Sequence, residues 1–249
     1  MKVFLLLVFI AILGTFIYIK IQVVGSPDST FNQTSRYTLG KHPVLRTIFG
    51  LHGSGDARAE FFGGTGPIIV EWFEPQDDNI DSSLIQKLAD AAGKYTGRQD
   101  QVMFAGYVDE STIDLSNLVS YQLKSAAQYP SGGNSILLVF VTEDYSPRAS
   151  DELSSTYKED GMVLSLNAHT QFISSFPQDL DSYLYASMLH ELGNQLGLPE
   201  TTSNDTACIM NLHAGYNGQP LEIYGKSEPT DFCPSEQALL TGLKAEYGQ

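Results

Sequence analysis

The sequence predicts an α+β domain built on a mixed β-sheet, preceded by an N-terminal transmembrane helix. Three patterns carry that expectation. Residues 136–141, Ile-Leu-Leu-Val-Phe-Val, are a continuous apolar run, as in a central strand buried on both faces. Leu184, Met188, Leu189, Leu192 and Leu196 recur at helical spacing over residues 180–195. Asp179 and Asp181 sit near the positive end of that helix, and Gly197 lies just past its other end. Residues 3–19 are apolar except for Gly14 and Thr15, with Lys20 following.

The apolar run is at the lower edge of a spanning length, and snorkelling of Lys20 extends it to about Val24. Two readings stand: a signal-anchor over residues 1–25, or a cleaved signal peptide with Val23 and Gly25 before the cut. A buried core helix is the third, less suited to a run with no polar face. Either export reading puts the remainder outside the cytoplasm, anchored or secreted. Lys2 and Lys20 bracket the run evenly and leave its orientation open. Sequons at Asn32 and Asn204 are compatible with export and possible glycosylation.

Residues 26–64 are rich in Ser, Gly, Thr and Asn, and read as a linker and irregular lead-in to a domain spanning 65–249. Within that domain, Ile68 to Phe73 reads as a strand. Leu84, Ile85, Leu88, Ala91 and Ala92 mark a helix capped by Asp81 or Ser82. Val102 to Tyr107 reads as a second strand. Leu115, Leu118, Val119 and Leu123 mark another helix, and Met162 to Leu166 a further strand. The alternation of strands and helices implies one unit packed around a mixed sheet.

Composition narrows the function. The chain has 249 residues, 42% of them hydrophobic, so it can bury a substantial core and is not a disordered tail. Its 29 acidic residues against 14 basic ones give −15, with no basic cluster, which argues against nucleic-acid binding. The surplus carboxylates read as a solvated acidic surface. Two cysteines exclude a disulfide-dense scaffold and a four-cysteine zinc site.

The chemistry concentrates in His190-Glu191-Leu192-Gly193-Asn194-Gln195-Leu196-Gly197-Leu198-Pro199-Glu200 and in Cys208-Ile209-Met210. These segments resemble the metzincin metallopeptidases, of archaemetzincin or matrixin type, whose signature is HExxHxxGxxH (or Asp at the end) followed by a Met-turn. Two histidines at i and i+4 share one helix face and can share a zinc ion. The Glu beside them serves as general base to a metal-bound water, and the Gly turns the chain so that a third ligand returns. His190, Glu191 and Gly197 match the pattern, and Met210 matches the Met-turn methionine. Phe232-Cys233-Pro234, before the helical stretch 235–244, resembles the archaemetzincin tail.

The resemblance implies a zincin-like fold, a zinc cofactor, a peptide or protein substrate, and peptide-bond hydrolysis by zinc-bound water with Glu191 as base. The metal positions fall on His190, Asn194 and Glu200. Two of them depart from the pattern: Asn194 replaces the second histidine, and Glu200 stands at the third ligand. A neutral amide oxygen is a weak zinc donor. The alternative is therefore a non-catalytic pseudopeptidase that binds peptides or a partner protein. Glu236 replaces a cysteine of the archaemetzincin second zinc site, leaving Cys208 and Cys233, which in an exported domain are expected to form a disulfide.

Other residues keep simpler readings. His190 can be a core histidine without metal. His213 can replace a missing ligand or line a loop, and Tyr216 can form a pocket wall or core. His169 is expected at the surface, and His42 and His52 carry no pattern.

Overall fold

A computed structural model describes residues 9–19, 57–76, 80–108, 112–113, 135–145, 154–157, 161–173, 179–200, 208–211 and 229–248. Residues 9–19 form a helix, α1, within the apolar run. Its Phe9, Ile10, Ile12, Leu13, Ile17 and Tyr18 are exposed, and the Thr15 hydroxyl donates to the Ala11 carbonyl, so that hydroxyl is satisfied by the helix itself. Among the described residues no helix is long and apolar enough to cross a membrane. Residues 1–8 and 20–56, with Asn32, His42 and His52, lie outside the described residues, as does the 115–123 segment expected to be helical.

The sheet is mixed, as expected. Strands β1 (Ile68–Pro75), β2 (Asp100–Val108), β4 (Ser135–Thr142), β6 (Ser154–Tyr157) and β7 (Gly161–Ser165) lie in the order β2-β1-β4-β7-β6. Strand β1 runs parallel to β2 and β4, β4 parallel to β7, and the edge strand β6 antiparallel to β7. Two short strands, β3 (Thr112–Ile113) and β5 (Asp144–Tyr145), pair separately. All eight residues of β4 are buried, which explains its uninterrupted apolar run.

Helix α2 (Ala57–Gly63) precedes the sheet, followed in chain order by α3 (Ser82–Thr96), α4 (Leu166–Ile173), α5 (Leu180–Gln195) and α6 (Pro234–Tyr247). Ile68, Val70, Leu137, Val139, Met162 and Leu164 form one core with Leu84, Ile85 and Leu88 of α3 and Leu184, Met188 and Leu192 of α5. Asp81 caps α3 by accepting from Ser83 N–H at 2.9 Å, and Gly97 ends that helix with φ 77°.

The segment read as lead-in is not irregular throughout. Helix α2 buries Phe61 and Phe62 in the core, worth about 2 kcal/mol each by apolar burial. Arg98 secures it. Its guanidinium donates to the carbonyls of Phe61 (3.0 Å), Gly66 (2.8 Å) and Pro67 (3.1 Å) and to the Ser135 hydroxyl (2.5 Å). A Cβ on Gly64 would lie 2.4 Å from that guanidinium, so the bare backbone at Gly64 is what leaves room for the arginine.

Candidate active-site cleft

Helix α5 carries the motif. Asp179 caps it, its carboxylate accepting from the Ser182 N–H at 3.2 Å and hydroxyl at 3.0 Å. The helix ends where Gly197 adopts φ 86°, a left-handed turn closed by Leu198 N–H donating to the Gly193 carbonyl at 2.9 Å. That reversal buries Leu198 and sends Glu200 back beside the helix. His190 Nε2 and Glu200 Oε1 are 3.9 Å apart, with His190 buried and the Glu200 side chain 46% exposed. Glu191 is buried. Asn194, one turn after His190, directs its amide nitrogen to Glu191 Oε2 at 3.4 Å.

The turn at Ile209 and Met210, expected from the resemblance to be a Met-turn, lies under this face. His190 Nδ1 is 2.9 Å from the Ile209 carbonyl. A carbonyl only accepts, so Nδ1 carries the proton and the Nε2 lone pair faces the Glu200 side. Met210 is buried against Gly193, where a Cβ would come within 2.4 Å of its Sδ. The sequence-predicted His190, Glu191, Asn194, Glu200 and Met210 are thus gathered at one place. His213, Tyr216 and Asn204 lie outside the described residues.

A second group supports the turn. Cys208 and Cys233 form a disulfide, as expected. The Glu236 carboxylate, buried at 5% exposure, accepts from the N–H groups of Ile209 (3.2 Å), Met210 (2.7 Å) and Cys233 (2.9 Å). Asp231 accepts from Lys94 at 2.5 Å and from the Tyr95 hydroxyl, tying the segment before α6 to α3. Burial, reinforced by the Asp231 hydrogen bond, pushes the Tyr95 phenol up to about 12 and keeps it a donor.

The expectation for His169 is corrected. Strand β7 stops at Ser165 and Leu166 opens α4, placing His169 fully buried against α5. Its Nδ1 lies 2.6 Å from the Ser165 carbonyl and Nε2 2.9 Å from the Ser187 hydroxyl, with the ring edge-on to Tyr183. Burial pushes its pKa down to about 4. The missed signal was spacing: Ser165 and His169 stand four apart, a turn of the helix that begins between them.

Zinc is tested by the donors. Structural and catalytic zinc sites use at least three protein ligands. Among the described residues, three metal-ligating side chains of the His, Cys and carboxylate types converge only at Cys208, Cys233 and Glu236, where the two sulfurs are joined to each other. At His190 the described donors are one imidazole nitrogen, the Glu200 carboxylate 3.9 Å away, and an amide turned toward Glu191. That set does not fit a three-ligand zinc centre.

No protein-family model and no curated protein matches the chain. Among solved structures it is similar to archaemetzincin from Methanopyrus kandleri, with 17% identity, 71% of this chain and 95% of that chain covered, and a TM-score of 0.46. It is similar also to a zinc-dependent peptidase from Methanocorpusculum labreanum, with 16% identity, 69% and 99% covered, and a TM-score of 0.45. The third similar structure is archaemetzincin from Archaeoglobus fulgidus, complexed with malonate, at 16% identity, 69% and 99% covered, and a TM-score of 0.42.

Proposed function

We propose that this chain is a membrane-tethered pseudopeptidase of metzincin type, whose cleft binds an extended peptide without hydrolysing it. The observation that carries the reading is Asn194, at the position of the second ligand, with its amide donating to Glu191. The Asn194 amide is turned to Glu191, and among the described residues no second imidazole stands beside His190, whereas a zinc centre takes at least three protein ligands. The remaining His190 Nε2 and Glu200 carboxylate offer acceptors to the N–H groups of a peptide backbone. Strand β6, at the sheet edge beside α5, offers a place for strand addition. The apolar residues of α1 support the tether.

A second reading, an active hydrolase, is favoured by one observation: the Ile209 carbonyl holds His190 in the tautomer a ligand would need. Elemental analysis of the dialysed full chain, with a fluorescein-labelled unstructured peptide as probe, separates the two. The pseudopeptidase reading expects saturable peptide binding, no stoichiometric zinc and no cleavage. Stoichiometric zinc with cleavage abolished by Glu191→Ala would overturn it in favour of the hydrolase.

A further inference from the structure

We propose that Glu236 is the positioning residue of the cleft histidine, acting through the Met-turn backbone. Glu236 is far from the HELGN segment in sequence, and nothing in its surroundings marks it as a cleft residue. Yet its two carboxylate oxygens collect three N–H groups. Oε1 takes Met210 N–H at 2.7 Å, and Oε2 takes Ile209 N–H at 3.2 Å and Cys233 N–H at 2.9 Å. A buried carboxylate with three donors is a strong, directional anchor, because charge-assisted hydrogen bonds strengthen away from water. It also completes a capping box at the start of α6, so the anchor is itself fixed to a helix.

The consequence falls on His190. Holding the N–H of Ile209 and of Met210 fixes the two peptide planes that flank and include the Ile209 carbonyl. That carbonyl accepts from His190 Nδ1 at 2.9 Å. The imidazole is therefore held with its proton on Nδ1 and Nε2 turned to Glu200. The Cys208–Cys233 bond closes the same unit covalently on the far side of the turn. Disulfide and carboxylate together hold the turn, and the carboxylate takes the N–H groups of both peptide units that aim the carbonyl. The functional weight of this device rests on the proposed cleft; its existence does not.

The test is long-range proton–nitrogen NMR of the full chain with nitrogen-labelled histidine, at mildly alkaline pH with a chelator present. The His190 signals are assigned by their loss in His190→Gln. Wild type is expected to show His190 as a single tautomer with Nε2 unprotonated. In Glu236→Gln the amide NH2 must face at least one backbone N–H, donor against donor. The His190 signals are then expected to move toward the average of the two tautomers. His169, held by Ser165 and Ser187 instead of the Met-turn, reports in the same spectrum that the fold is intact. A wild-type His190 protonated on Nε2 would overturn the proposal, as would a folded Glu236→Gln with His190 unchanged. If Glu236→Gln loses the His169 signature, Glu236→Asp, a methylene shorter, replaces it with the same expectation and the same contrary result. Neither peptide nor metal enters the measurement, so a chain that passes it yet binds no peptide loses only the functional reading.

Discussion

Gly193 and Met210 fit each other by size: a Cβ on Gly193 would lie 2.4 Å from Met210 Sδ and 3.0 Å from the Phe232 ring. The motif helix and the Met-turn approach as closely as they do because one residue has no side chain. Gly193→Ala is therefore expected to destabilise the fold by about 1–3 kcal/mol through overpacking, although alanine is the better helix former. Urea unfolding measures it; an alanine variant as stable as wild type would mean that the turn is not seated on the helix.

The histidine that the metzincin pattern places at position 194 can be supplied. His190 and Asn194 are four apart on α5, with Glu200 3.9 Å from His190 Nε2. Asn194→His places two imidazoles on one helix face and brings the protein ligands to three. Zinc affinity is expected to rise by at least about 100-fold. Competition against a chromogenic chelator reads this directly, and a variant that binds no more zinc than wild type would show that the cleft no longer holds zincin geometry.

The disulfide between Cys208 and Cys233 spans 25 residues of sequence. By loop entropy it contributes about 3 kcal/mol, so Cys208→Ser with Cys233→Ser is expected to lower the unfolding free energy by that amount. Thiol titration of the denatured, unreduced chain should find no free thiol. Two reactive thiols would contradict the bridge.

Acid acts on His169. The folded ring is neutral with a pKa near 4, because burial disfavours its charge, against an ordinary value of 6.5 when unfolded. Between those values the unfolded chain binds a proton that the folded chain does not. Its contribution is complete above pH 6.5 and drains away as pH falls to about 4, for a loss of about 3 kcal/mol. Denaturant unfolding at several pH values should show this slope, and His169→Gln should flatten it. An unchanged slope would assign the acid sensitivity to carboxylates instead.

Much of this protein was legible one residue at a time. The buried strand 135–142 announced itself because both of its faces are covered, so its six central side chains, 136–141, are all apolar. Helix α5 announced its ends, since Asp179 and Gly197 supply the cap and the left-handed turn that any helix of this kind needs. The spacing of His190, Glu191, Asn194 and Glu200 follows from helical geometry and one turn, both local. What local pattern could not decide is what distant segments do to one another. Helix α2 hid among glycines, and the need for one of them, Gly64, comes from Arg98, more than thirty residues away. His169 looked like a surface residue until α4 folded onto α5 and Ser187 met its ring. Glu236 looked like the loss of a cysteine. Only when α6 docks beneath the Met-turn does its carboxylate find the N–H groups of Ile209 and Met210, because buried backbone donors require an acceptor and tertiary packing determines which one arrives.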